Sequence, residues 1–134
     1  NQITRVGGEK LIKVDVRIVA ATNKDLKKEI ASGNFREDLY HRLSVILIEV
    51  PPLRERSQDI ALLTDYFLKE ICSNYGMPLK LIKLDARKLF TSYMWPGNIR
   101  ELRNVIERLV ILCEKEISAK DIELHTNMRN TIKP

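Results

Sequence analysis

Two arginines, Arg36 and Arg42, stand near the ends of a short helix-forming stretch, Phe35-Arg36-Glu37-Asp38-Leu39-Tyr40-His41-Arg42-Leu43. A guanidinium is planar, permanently charged and rich in donors. It suits the stabilisation of charge on a transferring phosphoryl group, and it can be supplied from a neighbouring subunit. The plain alternative is surface pairing with Glu37 or Asp38. A second polar group, Thr22-Asn23, follows Ala20-Ala21 at the end of an apolar strand pattern. Ligands of open parallel sheets bind just beyond the carboxyl ends of the strands. There the Asn23 amide can orient a water or touch a phosphate, or it can simply cap the next helix. A third candidate is Arg100, in Trp95-Pro96-Gly97-Asn98-Ile99-Arg100-Glu101-Leu102. It falls in the first turn of a helix, where the helix dipole disfavours a cation. An anion such as a triphosphate close to the same helix end removes that conflict; a capped helix with one exposed arginine needs no ligand. His41 and His125 have no Cys or His neighbours at metal spacing, and no structural metal is expected.

The elements that must position these groups change character at Pro51-Pro52. Before it the chain reads as α/β. Ile3 to Val6 and Leu11 to Val14 flank Gly7-Gly8-Glu9-Lys10 as a hairpin. Val14, Val16 and Ile18 alternate and run on to Ala21, and Val45-Ile46-Leu47-Ile48-Glu49-Val50 reads as a strand buried on both faces. Helix-forming residues lie between them, at 24–31 and 37–43, so the two strands are expected to be parallel. Two parallel strands make no stable sheet alone, and the missing strands are expected from sequence before Asn1 or from a partner. The opening residue is Asn1 rather than Met, which agrees with a cut from a longer chain.

The two prolines end the second strand, since neither offers an N–H to a ladder. Ser57 is expected to cap a helix to about Tyr75, with Ile60, Leu63, Phe67 and Ile71 on one face and Gly76 past its end. Asp85 is expected to cap a shorter helix through Leu89, Phe90 and Tyr93. Asn98 with Glu101 resembles a capping box opening a helix with Ile99, Leu102, Ile106, Leu109 and Cys113 inward. Ser118 with Asp121 repeats the pattern for a last helix to about Leu124, and residues 127–134 read as a polar tail. This second part is an all-α bundle of about 70 residues, a size that folds alone.

Composition adds bounds. With 44% hydrophobic and 31% charged residues among 134, the chain is an ordinary globular one, without a membrane-length apolar run or signal pattern. The net charge of +5 favours acidic partners such as nucleic acid or nucleotide phosphate, or simply reflects a solvated surface. Cys72 and Cys113, each inside an apolar helical pattern, read as buried free thiols of a cytoplasmic protein.

The order and spacing of Val16-Arg17-Ile18-Val19-Ala20-Ala21-Thr22-Asn23, the Phe35–Leu43 string, Val50-Pro51-Pro52-Leu53-Arg54-Glu55-Arg56 and the Trp95–Leu102 string closely resemble the central AAA+ domain of sigma-54-dependent activators, the bacterial enhancer-binding proteins of the nitrogen-regulator type. The resemblance covers nearly the whole chain. It implies the last strands of a parallel AAA+ sheet over 1–53, a helical lid over 54–126 and a linker or tail beyond. It implies that Asn23, with Thr22, is the sensor I group that reads the γ-phosphate of ATP. Arg36 and Arg42 become arginine fingers acting on the ATP of the adjacent subunit in a ring, and Arg100 the sensor II arginine of the lid. Leu53 to Arg56 resembles the hinge near the adenine. ATP and Mg2+ are the implied cofactors. Self-assembly and sigma-54 RNA polymerase are the implied partners, with enhancer DNA reached through a domain not present here.

No G-x-x-x-x-G-K-[ST] loop, acidic strand end for magnesium, sigma-gripping loop or helix-turn-helix occurs in these residues. By itself the chain is therefore expected neither to hydrolyse ATP nor to activate transcription. One alternative is a non-catalytic DNA-binding or adaptor module using the helix from Asn98 to Cys113. Arg100, Arg103 and Arg108 favour it, while Glu101, Glu107 and Glu114 interrupt the positive face. Another is an AAA+ protein that does not serve sigma-54.

Overall fold

The computed structural model describes residues 2–128, and the chain divides into two compact units after Glu49. In the first, β1 (Gln2–Thr4) and β2 (Leu11–Lys13) pair antiparallel with Ile3 opposite Ile12. The connecting turn is closed by Gly8 N–H donating to the Arg5 carbonyl at 2.9 Å, with Gly7 at φ +77°. Only glycine reaches that conformation without strain. The helices α1 (Leu26–Ala31) and α2 (Glu37–Leu43) follow. Asp25 caps α1, its carboxylate accepting from the Lys27 and Lys28 N–H groups. Asn23 is therefore not the cap that its position also allowed.

The expected order holds, a small sheet and short helices first and a helical bundle second, but two expected strands do not form. Residues 14–21 and 45–50 carry no regular secondary structure. Apart from half-buried Val14 their side chains are open to solvent, Val19 at 84% and Val45 at 82% exposure. The reason is mutual dependence. A parallel strand satisfies its N–H and C=O groups only on neighbours and its apolar faces only on covering layers. Among the described residues no neighbouring strand or covering layer reaches either run.

In the second unit the prolines lead into a 3-10 turn, Leu53–Glu55, and then α3 (Ser57–Asn74). The α3 N-cap is Arg56 without a side-chain bond, so Ser57 stands inside the helix rather than capping it. At the far end Gly76, at φ +62°, turns the chain so that Met77 N–H reaches the Cys72 carbonyl at 2.8 Å. The remaining elements are β3 (Leu81–Ile82), α4 (Leu84–Ser92), α5 (Asn98–Leu112), β4 (Glu116–Ile117) and α6 (Ala119–His125). The parallel β3–β4 bridge ties the two loops together. Two-residue runs carry no period, which is why the sequence pattern did not announce it.

All buried apolar side chains among the described residues lie at Leu53 or beyond. Ile60, Phe67 and Ile71 of α3 meet Phe90 of α4, Leu102, Ile106 and Leu109 of α5 and Ile122 of α6 in one core. Cys72 and Cys113 are free and buried in it, and burial, reinforced by the charge of Asp121, pushes the Cys113 thiol up from its ordinary value. Lys80 is buried too, with its ammonium donating to the carbonyls of Cys113 and Glu114 just past the end of α5. That end carries negative partial charge, which an ammonium offsets.

Two carboxylates seat α6. Ser118 and Asp121 form a reciprocal capping box, Ser118 N–H donating to Asp121 Oδ2 at 2.8 Å. Asp85 is not the α4 cap; Lys83 holds that position. Instead its carboxylate accepts from Ala86 N–H on its own helix and from Ala119 N–H at the start of α6. The Ser118 hydroxyl and N–H hold Asp121 below its ordinary 3.8, and the Ala119 and Ala86 amides do the same for Asp85. A depressed carboxylate contributes stability that is complete above its unfolded value and is lost as pH falls through its folded value. The unfolding midpoint is thus expected to fall below about pH 4. The double variant Asp85→Asn, Asp121→Asn is expected to flatten that fall; an unchanged acid limb in thermal scans excludes these two groups as its source.

Candidate functional site

The start of α5 is built by packing from both sides of Pro96. Trp95 is fully buried, and its Nε1–H donates to the Phe90 carbonyl at 2.8 Å. Tyr93 meets its ring edge-on at a centroid distance of 5.0 Å. Trp95 sits at φ +49° and Asn98 at φ +52°. Asparagine tolerates the left-handed region, whereas a bulky residue there stores strain that surrounding contacts must hold. Gly97, between them, has an ordinary φ of −87°. It is glycine for want of room, since a Cβ would lie 2.7 Å from Glu101 Cβ. Glu101 in turn accepts from Gly97 N–H at 2.7 Å and from the Tyr93 hydroxyl at 3.0 Å.

The expected capping box is thus half formed. Glu101 reaches back as a box glutamate does, but to Gly97, which is the N-cap. The Asn98 side-chain oxygen instead accepts from Leu53 N–H at 2.8 Å. Gly97→Ala is expected to force the first turn of α5 away from the loop and destabilise the bundle by about 1–3 kcal/mol. Denaturant titration checks it; a variant as stable as the parent means that the close approach to Glu101 relaxes freely.

This scaffold presents Arg100, third residue of α5, to solvent with no hydrogen bond or ion pair among the described residues. Its neighbours on the helix are engaged. Arg103 pairs with Glu107 at 3.1 Å and Glu70 at 3.9 Å, and Arg108 donates to the His125 carbonyl at 3.3 Å. Among the described residues the polar side of α5 is therefore a paired surface with one spare cation, not a continuous stripe of the kind that tracks a nucleic-acid backbone.

In the first unit α2 carries the other arginines. Arg36, its N-cap, is held by Asp38 through two hydrogen bonds, Nε to Oδ1 at 3.0 Å and a terminal nitrogen to Oδ2 at 2.7 Å. Those bonds hold the Asp38 carboxyl below its ordinary value, and the charge of Arg42 adds to the effect. Arg42, in the last turn, is exposed and makes no hydrogen bond or ion pair among the described residues. Arg36, Asp38, Leu39 and Arg42 line one shallow depression. Thr22 Oγ1 accepts from Lys24 N–H at 3.1 Å, and Asn23 is exposed beside it. No hydrogen bond or ion pair joins Thr22 or Asn23 to either arginine among the described residues. Of the hinge residues, Leu53 is fully buried in the bundle core, Arg54 lies 3.7 Å from Glu55, and Arg56 lies 3.5 Å from Asp59.

Comparison with known proteins gives these groups a context. Residues 54–133 match the AAA+ ATPase lid domain, and residues 1–49 match the Sigma-54 interaction domain. The chain belongs to the AAA+ ATPases of the sigma-54 activator family. Among the proteins it resembles, it is 58% identical over 108 residues to a signal-transduction and transcriptional-control protein of Clostridium beijerinckii, covering 81% of this chain and 17% of that protein. It is 49% identical over 121 residues to the DNA-binding transcriptional regulator NtrC of Azospirillum brasilense, covering 90% of this chain and 25% of the relative. The chain thus spans a quarter or less of the length of these two relatives. Its fold matches a crystal structure of NtrX from Brucella abortus in complex with ATP, with a TM-score of 0.83, 44% identity and coverage of 90% of this chain and 28% of that one. No helix among the described residues is long and apolar enough to cross a membrane.

Three features of the start of α5 escaped sequence reasoning: the Asn98–Leu53 bond, the Gly97–Glu101 approach and the Tyr93–Glu101 bond. Each joins residues that a helix-capping rule treats separately, and only the Gly97-Asn98 step before a helix hinted at them.

Proposed function

We propose that this chain is the sensor and arginine-finger part of a ring-forming, cytoplasmic ATPase that remodels sigma-54 RNA polymerase to start transcription. Residues 1–53 would complete the nucleotide-binding subdomain, although Leu53 packs in the bundle core, and 54–126 would form the lid. Residues 127–134 would be a polar tail or linker, of which Met128 is buried in that core and 129–134 lie outside the described residues. The observation that carries the reading is that Arg42 and Arg100, each near a helix end, are exposed without a hydrogen-bonding or ion-pair partner among the described residues. A guanidinium in that condition is a donor array for a polyphosphate; the first unit also carries Arg36, the Asn23 amide and the Thr22 hydroxyl, groups of the kind that meet phosphate oxygens.

In this reading ATP, when bound, supplies the phosphoryl group that passes to water. Arg100 holds the phosphates from the lid side. Thr22 and Asn23 offer a hydroxyl and an amide to the terminal phosphate or its attacking water. Arg42 and Arg36 reach the nucleotide of the adjacent subunit and stabilise the charge that develops on the transferring group. Arg36 must leave Asp38 to do so, and an exposed pair of this kind is weak enough to exchange. Magnesium would accompany the nucleotide on ligands supplied from outside these residues, as would the phosphate-binding loop, so the segment alone is proposed to be inactive. Enhancer DNA would be met through a further domain.

The test is the ATPase rate per subunit of the complete gene product as its concentration is raised. A rate that climbs steeply with assembly supports a shared active site. A rate per subunit independent of concentration, down to where the protein is monomeric, overturns it.

A further inference from the structure

We infer that Asn98 is a positioning residue for Arg100. Its side-chain oxygen clamps the hinge main chain at Leu53 to the first turn of α5, and thereby sets where the sensor arginine stands. This rests on the reading of Arg100 as a nucleotide contact.

The local chemistry makes the bond specific. Leu53 opens the 3-10 turn, and its N–H is one of the donors that a helical start leaves without an intrahelical acceptor. Pro52, the preceding residue, provides no side-chain cap. The acceptor comes instead from 45 residues away, the Asn98 oxygen at 2.8 Å. Because Leu53 N–H can only donate, the amide must turn its oxygen to it.

The clamp has little slack on either side. The Leu53 side chain is fully buried in the bundle. Only Val50, Pro51 and Pro52 separate it from Glu49, where the first unit ends. The two prolines hold φ near −65°. On the other side Asn98 is the first residue of α5 and Arg100 the third. A change in how the chain enters the bundle is therefore passed to the helix end that carries Arg100 through one hydrogen bond. Asn98 also needs φ +52°, which admits asparagine, aspartate and glycine with least strain. Those three residue types separate the roles. Glycine keeps the backbone and deletes the acceptor, whereas aspartate keeps both.

The experiment uses the complete gene product with Asn98→Gly, Asn98→Asp and Arg100→Ala. Amide exchange at Leu53 and steady-state ATP hydrolysis are read in each. In Asn98→Gly, Leu53 exchange is expected to quicken by about tenfold, with Leu109 in the middle of the core unchanged. KM for ATP is expected to rise about fivefold or more, and Asn98→Asp is expected to restore both. If Asn98→Gly does not fold, Asn98→Asp decides: Leu53 protection lost there overturns the clamp, and protection with a parental KM upholds it. Faster Leu53 exchange in Asn98→Gly with a parental KM, beside an impaired Arg100→Ala, overturns the positioning role and leaves Arg100 as a nucleotide contact. Equal impairment of the glycine and aspartate variants also overturns it, because the acceptor is then not what matters. A parental Arg100→Ala removes the nucleotide reading of Arg100, and the inference with it.

Discussion

Arg42→Ala is expected to lower ATP turnover of the complete, assembled protein by about 10³–10⁵-fold while leaving nucleotide affinity near its parental value. That range is what a charge-stabilising arginine contributes to phosphoryl transfer when it acts from a neighbouring subunit. Arg42 is the stronger candidate of the two because among the described residues it makes no hydrogen bond or ion pair, whereas Arg36 is held at two points by Asp38. Arg36→Ala is expected to fall with it, since Asp38 keeps Arg36 docked beside the same depression. Arg42→Lys is not expected to rescue, because an ammonium lacks the planar fork that meets two phosphate oxygens at once. Mixing supplies the decisive control. Subunits carrying Arg42→Ala but an intact nucleotide pocket should regain turnover beside subunits whose own pocket is disabled but whose Arg42 is present. Turnover retained in the single variant, or no recovery on mixing, removes Arg42 from the trans role.

The second large effect is expected at Trp95. Trp95→Ala should destabilise the helical bundle by about 3–5 kcal/mol, the range for emptying a large, fully buried aromatic site. Three losses add up. The ring leaves a cavity among Phe90 and Tyr93. The Phe90 carbonyl, near the end of α4, loses the indole donor that satisfied it. The left-handed backbone at residue 95 loses the packing that held it. Against the 5–15 kcal/mol that is typical of a whole domain, roughly a third of the stability is at stake. Trp95 is the chain's one tryptophan, so denaturant unfolding of this variant is followed by circular dichroism. A loss below about 1 kcal/mol would mean that the loop refills the site, as overpacked or collapsible positions do.

What could be read from residue order differed by the range of the interaction involved. Helices whose signals are local were recovered closely: Glu37–Leu43, the apolar face of α5, Gly76 beyond α3 and the Ser118–Asp121 box. Capping assignments at Ser57, Asp85 and Asn98 were not, because each side chain had another place or partner that no local window contains. Asp85 serves α6, and Asn98 serves Leu53. The strands at 14–21 and 45–50 show the opposite limit. Their pattern reads as a demand for burial that the described residues do not meet, because a sheet is a property of several strands and not of any one. Of the site, the places of Arg36 and Arg42 near the ends of one short helix and of Arg100 in the first turn of another are legible in residue order. The bonds that fix the helix end beneath Arg100 required the fold.

The open run from Val45 to Val50 has a bearing on handling. Val-Ile-Leu-Ile-Glu-Val is a window of high β-propensity with one charge and no proline, the composition that stacks into cross-β ribbons when left uncovered. Glu49 inside it and Pro51-Pro52 immediately after it are gatekeepers: like charges repel in register, and prolines cannot extend a ladder. They are expected to slow self-templating without abolishing it. Solutions of this segment should therefore show a concentration-dependent lag before thioflavin-positive material forms. Glu49→Val should shorten that lag, although it replaces none of the residues proposed to meet a nucleotide.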